Sequence, residues 1–216
     1  MAKGKAGCGC LIFILIVIMV LTGLFMHPLT LKFLGNRFSY EDKASPSDAI
    51  FVPRFPEDKE GELYVEAFRD YWAGKGKIIW VEDDKIFGIS IIEMIHRMAR
   101  SRNIKEDAVR QMDLEGEGQA KAAKARERFH HLKYRTVIVL VPEYASRRFH
   151  LLYNSSQNDG KTVFLVKPVS VSSFKRDSWW KDAASRSLMC HEVVSLGSLY
   201  LRRLEYGKEE KNDPEK

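Results

Sequence analysis

The chain has 216 residues, of which 45% are apolar and 30% charged, with a formal net charge of +6. That apolar share excludes a disordered chain, and three cysteines exclude a disulfide-dense secreted scaffold, since they close at most one bridge. The averages hide two unlike parts: a charge-free N-terminal block and a longer stretch of ordinary globular composition.

Residues 1–7 form a short basic tail carrying Lys3 and Lys5. No further charge occurs before Lys32, and 17 of the 21 residues from Ala6 to Met26 are apolar. About 20 apolar residues rising about 1.5 Å each cross a hydrocarbon core of about 30 Å. Residues 8–27 are therefore expected to be a transmembrane anchor. A cleaved signal peptide is the rival, but Leu21-Thr22-Gly23-Leu24-Phe25 is a poor cleavage site and the run is long for such a segment. Cys8 and Cys10 precede the run, whereas a lipoprotein cysteine would follow it. Lys3, Lys5 and the α-amine nearly balance Lys32, Arg37 and Lys43 under the positive-inside rule; the short basic tail ahead of a long domain favours tail-in, domain-out.

Residues 28–47 read as a juxtamembrane connector, polar and punctuated by Pro28 and Pro46, with Phe33, Leu34, Phe38 and Tyr40 available for packing. Residues 48–206 alternate short apolar runs with amphipathic stretches. Strands are expected at 48–53, 77–82, 108–114, 136–142 and 162–166. Helices are expected at 60–73, 89–102, 119–132, 144–153 and, singly or as a pair, 178–206. Apolar strands separated by helices imply an α/β domain: a doubly wound, mostly parallel five-stranded sheet with helices on both faces. Residues 207–216 read as a charged, flexible tail.

Ligands of such a sheet bind outside the carboxyl ends of the strands. That rule selects Arg54 after the first strand, Glu82 and Asp83 after the second, and Glu143, Tyr144 and Arg148 after the fourth as candidate ligand-binding residues. Carboxylates there could hold a hard cation through oxygen, with plain solvated loop charge as the alternative. Arg54, Arg147 and Arg148 beside a helix N-terminus suit a phosphate-bearing or nucleotide-like ligand. Adjacent Arg147 and Arg148 point in different directions, so only one faces the crevice. The chain has no Gly-rich phosphate loop, no Gly-x-Ser-x-Gly elbow and no metal-ligand spacing. Cys190 and His191 are neighbours on a helix and diverge. No catalytic residue, metal ligand or cofactor is assigned. Basic residues are spread without aromatic interleaving, which argues against nucleic acid.

Ser47-Asp-Ala-Ile-Phe-Val, then Glu93 with Met94, then Val139-Leu-Val-Pro-Glu-Tyr-Ala-Ser-Arg-Arg-Phe149 follow one another along the chain. Pro168, Trp179-Trp180, Arg186 and His191-Glu192 close the series. This order resembles the SanA, ElyC and YdcF-like proteins, a bacterial family with a Rossmann-like domain, several members of which carry one N-terminal anchor. Arg148 matches an arginine of that family's strand-turn segment. The resemblance implies a single-pass protein of the bacterial inner membrane, the bilayer as its partner and the domain outside the cytoplasm. It further implies a role in envelope integrity or cell-wall precursor handling. The chain departs from the family at Pro53-Arg-Phe-Pro56 (a Gly-rich turn there), at Glu82-Asp-Asp (Ser-Gly-Gly there), at Gly116-Glu-Gly-Gln-Ala-Lys-Ala and at Ala145. Glycines and hydroxyls let a phosphate approach strand ends closely, so their joint loss implies a changed ligand or a degenerate, non-catalytic site. The alternatives are an enzyme or nucleotide-binding protein that grips phosphate with Arg148 and Arg54, and a non-catalytic protein-interaction scaffold.

Overall fold

The computed structural model describes residues 5–43, 45–83, 85–86, 89–154 and 162–212. Lys3 of the basic tail, Asp84 and residues 213–216 lie outside the described residues. Five strands, β1 (Ala49–Val52), β2 (Ile79–Glu82), β3 (Val109–Met112), β4 (Thr136–Pro142) and β5 (Val163–Val169), form one sheet in the order β3-β2-β1-β4-β5. All four pairings are parallel, with Ile50 of β1 opposite Ile79 of β2 and Ile138 of β4. The α/β expectation holds, and every strand of the sheet is parallel.

Period-two alternation distributes each central strand between two cores. Ile50 and Val52 of β1, with Ile138 and Leu140 of β4, face α3 (Glu62–Trp72) and α4 (Ile91–Arg100) through Leu63, Phe68 and Ile95. Phe51 of β1, with Val137, Val139 and Val141 of β4, faces α5 (Gly118–His131) and α6 (Ser146–Tyr153) through Phe129, Leu152 and Tyr153. The sheet is thus covered on both sides. β5 runs three residues past the expected end and takes in Pro168, opposite Val141. An edge strand tolerates proline because its outward N–H has no ladder partner to lose.

Two helices precede the sheet: α1 (Lys5–Met26) and α2 (Pro28–Phe38). Among the described residues no single helix is long and apolar enough to cross a membrane; Cys10–Met26 and Pro28–Phe38, bent by 56°, reach that measure together. The stretch expected to be a polar connector begins with α2, started by Pro28 in the first turn and by His27, whose Nδ1 accepts from the Leu29 N–H at 3.3 Å. It is docked on the domain. Trp179 Nε1 donates to Leu31 O at 2.8 Å, Arg147 Nε donates to Arg37 O at 2.6 Å, and Tyr40 N donates to Ser146 Oγ at 2.8 Å. Phe38 is buried beside Tyr144, Phe174, Trp179, Met189 and Leu196 in a third core. The last described element is one 30-residue helix, α7 (Ala183–Asn212), which continues beyond residue 206.

Candidate functional site

β1 and β4 are neighbours, yet the chain leaves β1 toward β2 and leaves β4 toward β5. This reversal opens a crevice outside the carboxyl ends of the two strands. A cavity of about 340 Å³ lies there, lined by Arg54, Phe55, Glu82, Lys121, Arg148 and His191 among others. A hollow of about 430 Å³ adjoins it along α7, sharing Gly118, Arg148 and His191 and adding Ser195 and Arg202. Phe55 packs on Phe149, ring centroids 5.1 Å apart, and makes an apolar wall without closing the opening.

Glu82 ends β2 and is 4% exposed. Its Oε2 accepts from the backbone N–H of Arg54 at 3.0 Å, and its Oε1 accepts from Lys121 Nζ at 2.6 Å. A backbone N–H in the turn after β1 and a cation in the first turn of a helix are donors with which such folds hold a phosphate. Here one carboxylate of the chain itself takes both.

Arg148 is fixed from the other side. Its Nε and Nη2 donate to the two carboxylate oxygens of Glu192 on α7 at 2.8 and 2.6 Å. The α5 N-terminus completes the crevice through Glu117 and Gly118. Gly116 (φ +101°) and Gly118 (φ +50°) bracket the turn into α5, a left-handed backbone that disfavours a side chain.

The structure brings together Arg54, Glu82 and Arg148 of the six candidates and sends the other three elsewhere. Asp83 caps α4: its carboxylate accepts from Ser90 Oγ at 2.8 Å and from Ile92 N at 3.2 Å. Glu143 is buried and paired with Arg176 at 3.1 Å; burial pushes its carboxyl up, against the opposing pull of Arg176. Tyr144 packs on Phe174 in the third core, where burial pushes its phenol far up. Arg147 turns to α2, leaving Arg148 as the arginine of that pair at the crevice.

Two participants escape the strand-end rule. Lys121 sits in the first turn of α5, and Glu192 lies 44 residues from its partner. A signal for Glu192 does exist: it interrupts the buried stripe Met189, Leu196 and Leu199 at helical spacing. A carboxylate on an apolar stripe demands a cation. Among the described residues no group of three or more His, Cys, Asp or Glu could hold a metal ion. No protein-family model, curated protein or solved structure matches the chain. The resemblance to SanA-like proteins therefore rests on the quoted residues alone.

Proposed function

We propose that the chain is a single-pass protein of the bacterial inner membrane, with α1 as its anchor and its α/β domain outside the cytoplasm. The observation that carries this reading is the surface of α1. Its large side chains from Leu11 to Met26 are 38–68% exposed, an apolar sleeve that fits hydrocarbon and not water. Docking of α2 ties the end of α1 to the domain. The resemblance to SanA-like proteins points to envelope integrity or cell-wall precursor handling. Glu82 supports a non-catalytic domain, since it satisfies the crevice donors that a phosphate would use. The test is fractionation: the full chain should stay with membranes through an alkaline carbonate wash. A soluble, N-terminally shortened product would refute the anchor.

A second reading has its own observation. The crevice keeps about 340 Å³ beside a guanidinium locked in place, which suits a phosphate-bearing ligand held by Arg148 and Arg54. Thermal stabilisation of the unmodified protein by such ligands, abolished in Arg148→Ala, would select it. No shift would leave the first reading in place.

A further inference from the structure

We infer that α2 lies in the headgroup layer of the bilayer as a collar between anchor and domain; this rests on reading α1 as the anchor. The helix has two opposite apolar sides. The inner side is sealed on the domain: Phe38 is 8% exposed, and Gly35 lies so close that a Cβ would meet Trp179 Cδ1 at 2.9 Å. On the outer side Leu29 and Phe33, one turn apart, are each 72% exposed. A helix on a water-facing domain carries polar residues there. Lys32 and Arg37 flank this outer pair, where long cationic side chains keep their stems on apolar surface and their heads among phosphates. Lys32 also reaches Asp177 at 3.2 Å, a pair open to solvent.

Continuity points the same way. The bend of 56° turns the chain into α2 directly after α1, so Leu29 and Phe33 continue the apolar surface of α1. The bilayer is thus the occupant that follows from continuity with the anchor. α2 packs beside the 3-10 turns Glu143–Ala145 and Arg176–Ser178, which follow β4 and β5. The collar therefore holds the carboxyl end of the sheet, the end that carries the crevice, toward the membrane surface.

The experiment labels single cysteines at position 33 (Phe33→Cys), position 29 (Leu29→Cys) or position 72 (Trp72→Cys, an exposed site on α3) with an environment-sensitive fluorophore. Each is made in full-length protein whose native cysteines are serine, in phosphatidylethanolamine–phosphatidylglycerol vesicles. Labels at 29 and 33 should be quenched by headgroup-level nitroxide lipid and shielded from aqueous iodide at least threefold relative to position 72. Iodide access equal to that at position 72, in protein that floats with the vesicles, overturns the collar and spares the anchor. Shielding from iodide without lipid quenching assigns the face to a second copy and also overturns it. Protein that fails to float removes the anchor, and the collar with it.

Discussion

Arg148 and Glu192 form a two-bond ion pair, at 2.8 and 2.6 Å, between α6 and α7, with the carboxylate 1% exposed. A carboxylate so buried persists because the guanidinium supplies two charge-assisted bonds. The same pair aims Arg148 at the crevice and ties the last helix to the domain. Glu192→Ala should therefore cost about 3 kcal/mol, the range for stranding one member of a buried pair. Glu192→Gln, which keeps the shape, should cost less. Denaturant unfolding of both, with Arg148→Met and the double variants, measures the coupling.

Glu82 supplies the crevice's own anion. Replacing it with alanine should release the Arg54 N–H and Lys121 toward an external one. Glu82→Ala should then gain affinity for phosphate-bearing ligands that the unmodified protein lacks. At 100-fold excess over Kd, binding is worth about 2.7 kcal/mol, or a rise of roughly 5–10 °C in Tm. Equal shifts in both proteins would show that Glu82 does not fill the seat.

Gly35 is where α2 meets Trp179. An added Cβ would also stand 3.0 Å from the Arg176 carbonyl oxygen, which is backbone and cannot swing away. Gly35→Val should lift α2 off the domain at a cost of about 1–3 kcal/mol. Red-shifted tryptophan emission and faster proteolysis between residues 28 and 47 are the readouts.

Asp48 couples the starts of β1 and β4. Its Oδ2 accepts from Arg135 N at 2.8 Å and Thr136 N at 3.2 Å. The Arg135 N–H, foremost, holds the carboxyl below its usual value; desolvation opposes it, and the Thr136 N–H adds to the lowering. A carboxyl lowered in the folded state contributes stability above its unfolded value, near 4, and that contribution is lost as pH falls through the folded value. Asp48→Asn should be less stable at pH 7 by about 1 kcal/mol and should lose less stability between pH 5 and 2. Melting curves across that range test both parts.

Much of the fold was legible because strands buried on both faces read as continuous apolar runs, such as Thr136–Pro142. α2 was not legible, for a reason visible in its surface. Leu31, Gly35 and Phe38 point inward while Leu29 and Phe33 point outward, so no polar face sets the helical phase. Pro28 read as a break, although in a first turn it starts a helix. The strand-end rule found Arg54, Glu82 and Arg148 because it locates a residue along the strand direction. It carries nothing about where side chains turn. Asp83, one residue past Glu82, caps α4 instead, Glu143 pairs with Arg176, and Tyr144 packs into the third core.

The central claim is that α1 holds this domain to a bilayer, and membrane partition of the full chain tests it most directly. After an alkaline carbonate wash the intact protein should remain in the membrane pellet, while a chain beginning at Pro28 should not withstand the wash. Recovery of the intact chain, or of a shortened form, in the supernatant would contradict the account.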